Sequence, residues 1–474
     1  MFLPVGKLCG RVAEVISNRL YLCSFYNHPE SDSKTWYYCV DNDVHYDSFN
    51  CDFGPLNLSV LYRFCMKLKE KLKNLEQKKT IVVYSGPTDE ARANTAYLIG
   101  AYCIIYLAMS AEVAYQLVHR AEPCGFIGFR DAAMGAQTYR LHLHNVLKGV
   151  EKAVKFNWLR FDEFDPEEYE FYEKVQNGDL NWIIPNKVLS FCGPHNKSAV
   201  ENEYVHHSPE VYFEYFKDHG ITTIIRLNKR MYDAKRFTKA GFDHIDLFFM
   251  DGSTPSDDII EKFINVVDNA RGAVAVHCKA GLGRTGTLIG CWLMKEYGLT
   301  AAESMAWLRI CRPGSVIGSQ QQFLIRKQPW CWAIGSSKVD EMKLADTNEN
   351  KVFESLAVHN EEVPAINEEC IVDEFGRTQG DRLLAMKVKA QSHFINKHPS
   401  QIVSVMSMCP SHLSSKSKSA RRLSELRSKP YPHSSIKVQM TPAVFGLRSQ
   451  ADNAFEVKNN KEEDSCIEVQ AYAI

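Results

Sequence analysis

Apolar positions in this chain fall into two recurring patterns, which are short dense runs and longer runs with helical spacing. The runs "NRLYLCSF", "TIVVYSG", "ITTIIRLN", "HIDLFF" and "GAVAVHC" have the composition of buried strands. The segment "SDDIIEKFINVVDNA" places its apolar residues on one face of a helix, and the basic segment "KRMYDAKRFTKAG" is also helix-like. Strands that alternate with helices predict an α/β fold with a mostly parallel central sheet flanked by helices.

Changes in composition divide the chain into four regions. We predict an N-terminal domain over residues 1–157, an acidic helical linker over 158–179 and a second α/β domain over 180–343. Beyond residue 343 the chain is rich in Ser, Lys, Arg, Glu and Asn with few periodic apolar positions. Such a segment cannot bury enough apolar surface to fold, so residues 344–474 are predicted to be a mostly disordered regulatory tail.

Two segments share one plan, which is an apolar strand, a polar turn holding an Arg, and a helix containing Leu-Ile-Gly. They are Thr80–Tyr102 and Ala273–Trp292, and the turn of the first contains no Cys. Either the chain carries a domain-sized repeat that lost a reactive residue, or two strand-turn-helix units merely look alike. The residues alone leave both interpretations open.

Composition excludes several classes of function. Of 474 residues 45% are apolar and 24% charged, and the formal net charge of −1 gives no overall electrostatic case for binding nucleic acid. The 15 cysteines lack CxxC spacing, which predicts no disulfide framework and no metal site and favours a reducing compartment. The N-terminus lacks the apolar core of a signal peptide. The uncharged run Thr95–Ala111 is at the short limit for a membrane span, and a buried helix is favoured.

The stretch "AVAVHCKAGLGRTGTL" (Ala273–Leu288) carries the chemistry. A turn between a strand and a helix directs backbone N–H groups and the positive helix end into one small bowl. Its glycines permit the required close approach of the backbone. We name residues 278–284 the cysteine loop. The backbone that would bind an anion belongs to Lys279, Ala280, Gly281, Leu282 and Gly283.

The side chains of this stretch suit the attack of a thiolate on phosphate. The anion-binding bowl favours the thiolate form of Cys278, the expected nucleophile. Arg284 can hold two phosphate oxygens, and Thr285 can donate its hydroxyl to the sulfur. His277 is expected to orient the loop rather than to act as a base. A buried structural Cys in a Gly-rich turn is the alternative, and the spacing His-Cys-x₅-Arg-Thr after a strand disfavours it.

The same chemistry needs a carboxyl group that protonates the departing oxygen and later activates water. Asp251 follows the apolar "LFFM" and opens the turn "DGSTP", so it lies at the end of a strand, where α/β sheets place functional groups. Asp257 and Asp258 look instead like acids at the N-terminus of a helix. Gln320 and Gln321, just before the next helix, are candidates for positioning the attacking water, with an ordinary polar loop as the alternative.

The cysteine loop resembles that of the cysteine-dependent protein tyrosine and dual-specificity phosphatases. "FDHIDLFFMDGSTPSD", "RICRPGSVIG", "QQQFL", "DFGPLNLSVLYRFC", "FRDAAMG" and "NGDLNWIIP" narrow the resemblance to the cell-division-cycle fourteen family of dual-specificity phosphatases, which act in mitotic exit. It covers about residues 8–345 and, in the tail, only "TQGDRLLAMK". It implies two tandem phosphatase-like domains, the first without a nucleophile, and therefore a degenerate repeat.

The resemblance also implies a substrate class. Family members prefer phosphoserine or phosphothreonine before proline with a downstream Lys or Arg, as in sites made by cyclin-dependent kinases. Glu170, Glu173 and Asp179 match the positions that line the groove for this basic residue. The linker around them is dense in Asp and Glu, which would attract a basic peptide, although most charge runs are only solvated helix faces. Met134 and Ser319 depart from the family pattern and put substrate preference and rate in doubt.

Expected partners are phosphoproteins modified by proline-directed kinases, with neither nucleic acid nor membrane. The resemblance implies a nuclear, nucleolar or cytoplasmic location with centrosome or spindle association. A basic cluster in the tail is either a nuclear import signal or solubilising charge; its members are Lys416, Lys418, Arg421, Arg422, Arg427 and Lys429.

Two other functions are compatible with the cysteine loop. One is a phosphopeptide-binding pseudophosphatase, which the presence of Cys278, Arg284 and Asp251 disfavours. The other is a phosphoinositide or RNA 5′-phosphatase, which the acidic linker disfavours.

Overall fold

The fold contains two central β-sheets, each flanked by helices. The computed structural model describes residues 6–30, 33–75, 79–135, 137–201, 204–345, 372–373 and 376–397. Within these residues, one four-stranded sheet belongs to the N-terminal half and one five-stranded sheet to the following region. The predicted α/β class with two tandem domains is therefore confirmed.

The N-terminal sheet has the strand order β1-β2-β4-β3, in which β4 pairs in parallel with both neighbours and β1 is antiparallel to β2. Its strands are β1 (Ala13–Ile16), β2 (Leu20–Ser24), β3 (Thr35–Cys39) and β4 (Thr80–Ser85). The helices of this half are α1 (Leu58–Asn74), α2 (Asp89–Leu107), α3 (Ala111–His119) and α4 (Leu143–Lys155), followed by the short α5 (Pro166–Tyr172) in the acidic linker.

Helix α2 settles the nature of the uncharged run. The Thr88 side chain accepts a hydrogen bond from the Ala91 N–H and caps the helix, which ends at Ala108 in a left-handed conformation. Its residues from Ala93 to Ile104 are buried, so the apolar run is a core helix. Within the described residues, every helix falls short of the combined length and apolarity that crossing a membrane requires.

The second sheet has the order β10-β9-β11-β6-β5, with β11 in the centre and only β5 antiparallel. Its strands are β5 (Leu180–Ile184), β6 (Val188–Phe191), β9 (Ile221–Arg226), β10 (Asp243–Asp246) and β11 (Ala273–His277), and β7 (Ala199–Glu201) and β8 (Tyr204–His206) form a separate hairpin. The helices are α6 (Phe213–Asp218), α7 (Lys235–Lys239), α8 (Asp257–Asn269), α9 (Gly283–Tyr297), α10 (Ala301–Cys311), α11 (Ser319–Ala345) and α12 (Gln379–Lys397).

The two halves pack closely because small residues let helices approach. Helix α4 of the first half lies against α10 of the second, and a Cβ atom at Gly149 would lie 3.0 Å from Cβ of Ala306. The Trp158 ring is tilted against that of Trp307, with ring centroids 5.9 Å apart. The described residues accordingly belong to one compact unit. Ala280 and Leu282 of the cysteine loop lie in one buried cluster with Phe49 and Ala132 of the first half.

Four local predictions differ from the structure. The segment "KRMYDAKRFTKAG" is mostly loop and forms only the five-residue α7, and "HIDLFF" ends as a strand at Asp246. Helix α11 starts at Ser319, so the glutamines lie in its first turn rather than before it. Within the predicted disordered tail, α12 is a helix that packs against the second domain, while residues 398–474, including the basic cluster, lie outside the described residues.

Candidate active site

The cysteine loop connects the central strand β11 to α9. Every residue of β11 is buried, and α9 begins at Gly283 without a side-chain cap, so its first N–H groups face the loop. Gly281 has φ +68°, and a Cβ atom there would lie 2.1 Å from the Phe191 carbonyl oxygen, so only glycine fits. Cys278 lies at the base of this loop and is 3% exposed.

Buried donors hold four successive carbonyl groups of the loop. The pairs are Cys278 O with His277 Nδ1 at 3.0 Å, Lys279 O with Gly193 N at 3.0 Å, Ala280 O with Arg312 Nη2 at 2.9 Å, and Gly281 O with Arg312 Nε at 2.9 Å and Ser190 Oγ at 2.8 Å. In a trans peptide the N–H points opposite to the C=O. The N–H groups of residues 279–282 therefore point away from these donors, to the side where an anion would bind.

Arg312 is a functional residue that the motif "RICRPGSVIG" contains but does not distinguish from an ordinary helix end. Its side chain is fully buried, and besides the two loop carbonyls it contacts Asp179 Oδ1 at 2.9 Å and Asn181 Oδ1 at 2.7 Å. The available signal was an Arg directly after the mostly apolar α10. A buried guanidinium needs acceptors on all sides. Arg312 thus joins the loop backbone to the acidic linker.

Arg284 and Asp251 lie next to each other, as the predicted chemistry requires. Arg284 donates from Nη1 to the Phe249 carbonyl at 3.0 Å, and its Nη2 lies 3.3 Å from Asp251 Oδ1. Its Nε is buried and has no hydrogen-bond partner among the described residues. An unpartnered buried guanidinium N–H beside Cys278 is a ready donor to a phosphate oxygen.

Helix α12 covers the mouth of the site. Its Gly380 N–H donates to Asp251 Oδ2 at 3.0 Å, and Asp381 forms an ion pair with Lys279. A Cβ atom at Gly380 would lie 2.8 Å from Asp251 Oδ2 and 2.9 Å from Cβ of Lys279, so glycine permits this close approach. Asp251 is therefore held between Arg284 and the first turn of α12.

The predicted polar assistants lie in different places. The Thr285 hydroxyl is buried without a hydrogen-bond partner among the described residues. Gln320 lies beside Gly283, but its amide bonds the Ile317 N–H and the Ser253 carbonyl. Gln321 points elsewhere, since its amide contacts Arg309 and the Gly318 carbonyl. The Gln321 amide is thus already hydrogen-bonded within its own segment, and its predicted role at the site stays a prediction.

Gln379 of α12 lies beside the cysteine loop, where Gln320 and Gln321 were predicted to lie. A Cβ atom at Gly283 would lie 3.3 Å from Gln379 Oε1, and one at Gly252 would lie 3.8 Å from the same oxygen. One at Gly318 would lie 3.9 Å from Gln379 Nε2. The Gln379 amide therefore lies between the cysteine loop, the Asp251 turn and the start of α11.

The three acidic linker residues have different environments. Glu170 is turned away, with its carboxylate bonded by Arg63 Nε at 2.7 Å and Nη2 at 2.9 Å. Glu173 accepts from Asn57 Nδ2 at 3.1 Å and from the Tyr169 hydroxyl at 3.2 Å, and burial raises its pKa to about 7 despite the nearby Lys387. Of the three residues predicted to line the groove, Glu173 and Asp179 therefore act on one buried lysine, whereas Glu170 pairs with Arg63.

Lys387 of α12 occupies that groove. It forms a buried ion pair with Asp179, and its charge also acts on Glu173. Burial alone would raise the pKa of Asp179, but Arg312 and Lys387 outweigh this effect and lower it below its usual value. The groove therefore binds a basic side chain in the structure itself.

Apolar residues complete the contact between α12 and the second domain. Leu383, Leu384 and Val388 are buried in one cluster with residues of the cysteine loop, the linker and the first half. The other fully buried members are Phe49, Ala132, Val175, Cys192, Ala280, Leu282 and Ile317. Ala280 and Leu282 therefore contribute side chains to the surface on which α12 packs. Among the described residues, His, Cys, Asp and Glu form no group of three or more that could hold a metal ion.

A buried cysteine in a strand-loop-helix cradle, with an adjacent Arg and Asp, defines the class of cysteine-dependent phosphatases. Family models agree, since "Dual specificity protein phosphatase, N-terminal half" matches residues 14–153 and "Polymorphic toxin system, DSP-PTPase phosphatase" matches residues 202–298. Among solved structures, the active form of Tk-PTP aligns at 21% identity with a TM-score of 0.27, covering 31% of this chain and 95% of that chain.

Curated relatives narrow the class to a family. The chain is 49% identical to the tyrosine-protein phosphatase cdc-14 of Caenorhabditis elegans, over 80% of this chain and 62% of that protein's length. It is 47% identical to the dual specificity protein phosphatase CDC14B of Mus musculus, over 79% of this chain and 80% of that protein. The chain belongs to the CDC14 family of dual-specificity protein phosphatases, which confirms the resemblance found in the sequence.

Proposed function

We propose that this chain hydrolyses phosphoserine, phosphothreonine and phosphotyrosine monoesters in proteins through a phospho-cysteine intermediate. The observation that carries the proposal is the arrangement of Cys278 under a loop whose carbonyls are held outward, with Arg284 and Asp251 3.3 Å apart beside it. Membership of the CDC14 family supports the same activity.

The reaction takes place in two displacements. The Cys278 thiolate attacks phosphorus, an S–P bond forms, and the ester P–O bond breaks while Asp251 gives a proton to the departing oxygen. Water then attacks the phospho-cysteine, Asp251 takes a proton from it, and inorganic phosphate leaves as the thiolate is restored. The Arg284 guanidinium and the loop N–H groups stabilise the charge of the transferring phosphoryl group in both steps.

The preferred substrate is a proline-directed site with a downstream basic residue. Lys387 supports this preference, because its ammonium group is held in the groove by Asp179 beside Glu173. A substrate peptide that follows the path of α12 would present its own Lys or Arg to the same carboxylates. Met134 is half-exposed on the loop "FRDAAMG", and Ser319 begins α11.

The cellular role that fits this chemistry is reversal of phosphorylation by cyclin-dependent kinases during cell division. We extend the proposal to a nuclear, nucleolar and cytoplasmic location with association to the centrosome or spindle. The support is family membership together with the basic cluster of the tail, which lies outside the described residues.

A panel of substrates tests the proposal. We expect the full chain to hydrolyse a phosphoserine-Pro-x-Lys peptide much faster than its Ala counterpart, and both faster than a phosphoinositide or a 5′-phosphorylated RNA. The matched control is Cys278→Ser, which keeps the cradle but lacks the thiolate. Binding without turnover by the wild-type chain would show a pseudophosphatase, and a preference for the lipid or RNA would show the other alternative.

A further inference from the structure

A continuous hydrogen-bonded chain runs from the cysteine loop to the edge of the second sheet. His277 Nδ1 lies 3.0 Å from the Cys278 carbonyl oxygen, and His277 Nε2 lies 2.8 Å from the Tyr232 hydroxyl. The same hydroxyl lies 2.8 Å from His244 Nε2. All three side chains are buried, so each proton on this chain must have a partner within it.

When both rings are neutral, one arrangement of the protons makes all three hydrogen bonds of this chain. The carbonyl oxygen can only accept, so His277 must carry its proton on Nδ1, which leaves Nε2 as an acceptor. The single Tyr232 proton therefore goes to His277, and Tyr232 must accept from a protonated Nε2 of His244. Burial lowers the pKa of His277 to about 3 and that of His244 to about 4, so both rings are neutral at physiological pH.

Neighbouring groups hold Tyr232 in place and leave room for the hydrogen bond between His277 and the Cys278 carbonyl. The Arg226 guanidinium lies 4.6 Å from the centroid of the Tyr232 ring, donates to its carbonyl at 2.7 Å, and pairs in a fork with Asp246 at 2.8 and 2.9 Å. A Cβ atom at Gly193 would lie 3.0 Å from His277 Nδ1 and 2.2 Å from the Cys278 oxygen. The absence of a side chain at Gly193 thus allows His277 to reach its carbonyl.

We propose that Tyr232 is a positioning residue for catalysis, which selects the Nδ1–H form of His277 and, through the Cys278 carbonyl, holds the Lys279 N–H toward the phosphate. His244 completes the chain by giving Tyr232 a donor, so that the Tyr232 proton is committed to His277. This role deepens the proposed phosphatase function and rests on it. With the wrong form of His277, two lone pairs would face each other at Nδ1 and the carbonyl oxygen, and the first peptide of the loop would be free to rotate.

The direct test is to determine which ring nitrogen of His277 carries the proton in the intact protein. Histidine-labelled full-length chain is studied by ¹⁵N NMR at neutral pH, with assignments made from the His244→Gln spectrum. We expect Nδ1–H for His277 and Nε2–H for His244. A proton on Nε2 of His277 in the wild-type chain would overturn the proposal, and this result does not depend on any activity.

The variant Tyr232→Phe tests the consequence. We expect kcat/KM for a small aryl phosphate to fall about tenfold, the size expected from one buried hydrogen bond. His277 should populate both neutral forms, and alkylation of Cys278 by iodoacetate should slow. The matched control is Tyr84→Phe in β4, which removes another Tyr–His bond of 2.8 Å far from the loop and should leave the rate within about twofold.

Substitutions of His244 separate positioning from packing. His244→Gln keeps an N–H donor for Tyr232 and should retain most of the activity, whereas His244→Leu should resemble Tyr232→Phe. Equal losses in both His244 variants would overturn the proposal, as would a Tyr232→Phe loss without any change at His277. If Tyr232→Phe fails to fold, the wild-type NMR result and the His244 pair still decide. An inactive wild-type chain with the expected His277 form would instead count against the proposed function alone.

Discussion

The selectivity for basic peptides should depend on Glu173 far more than on Glu170. In the groove, Asp179 forms an ion pair with the buried Arg312, so the charges of these two groups nearly cancel. Glu173 is then the carboxylate whose charge is available to a bound Lys or Arg. The substitution Glu173→Gln keeps the shape and removes this charge, which leaves a basic side chain buried without a net counter-charge.

The magnitude follows from this charge balance. Loss of one partner from a buried, hydrogen-bonded charge pair costs at least about 2 kcal/mol, or roughly 30-fold in kcat/KM. We therefore expect the ratio of kcat/KM for Ser-Pro-x-Lys over Ser-Pro-x-Ala phosphopeptides to fall roughly 30-fold at pH 8. Both peptides must displace α12, so the cost of displacement cancels in the ratio.

The pH dependence of the preference for Lys is an independent test of the charge on Glu173. Burial raises the pKa of Glu173 to about 7, so its negative charge is present above that pH and is lost as the pH falls below it. The preference for Lys should consequently decline between about pH 8 and pH 6 in the wild-type chain and stay flat in Glu173→Gln. Steady-state assays with both peptides across this range measure it.

The matched control is Glu170→Gln. Glu170 pairs with Arg63, and both side chains are about half-exposed, so this pair should contribute under about 1 kcal/mol and barely affect the ratio. An unchanged ratio in Glu173→Gln, or an equal drop in Glu170→Gln, would refute the reasoning that assigns the groove to Glu173 and Asp179.

Three further predictions concern the chemistry itself. Cys278→Ser should abolish turnover but still bind a phosphopeptide in fluorescence anisotropy, because the loop N–H groups and Arg284 remain; activity within tenfold of wild type would remove Cys278 as nucleophile. Asp251→Ala should slow a phosphoserine peptide far more than p-nitrophenyl phosphate, since an alkoxide needs the proton and a nitrophenolate hardly does; equal losses would place the acid elsewhere. Gln379→Ala should slow hydrolysis of the phospho-cysteine at least severalfold, because the Gln379 amide lies over the loop while those of Gln320 and Gln321 are already bonded. Rapid-quench trapping of the labelled intermediate measures this step, and an unchanged intermediate level would exclude the role.

Local sequence was sufficient for most of the elements and for the central part of the site. The strand-loop-helix at Ala273–Leu288 could be predicted because apolar periodicity, a run of glycines and the start of a helix are all short-range properties. The same holds for Asp257 and Asp258, which lie in the first turn of α8 after the Ser256 cap. The parallel sheet with β11 at its centre follows from the alternation of strands and helices.

Residues whose role depends on distant partners could not be predicted in this way. Arg312 reads as a helix end until the fold places it under Ala280 and Gly281, 32 and 31 residues away along the chain. Glu170 and Glu173 are alike in the sequence, and only the neighbouring Arg63 and Asn57 separate a surface ion pair from a groove carboxylate. Nothing in local spacing relates Gln379 to Gly283.

The sequence by itself thus determined the fold class and the identity of Cys278, Arg284 and Asp251 as the candidate reacting groups, and its family resemblance added the repeat of two phosphatase-like domains. Tertiary structure alone decided which carboxylates form the groove, which glutamine lies over the loop and how the loop carbonyls are held. The physical reason is the distance along the chain over which each effect acts. Propensity, periodicity and backbone freedom act within a few residues, whereas desolvation, ion pairing and hydrogen-bond satisfaction depend on groups that only folding brings together.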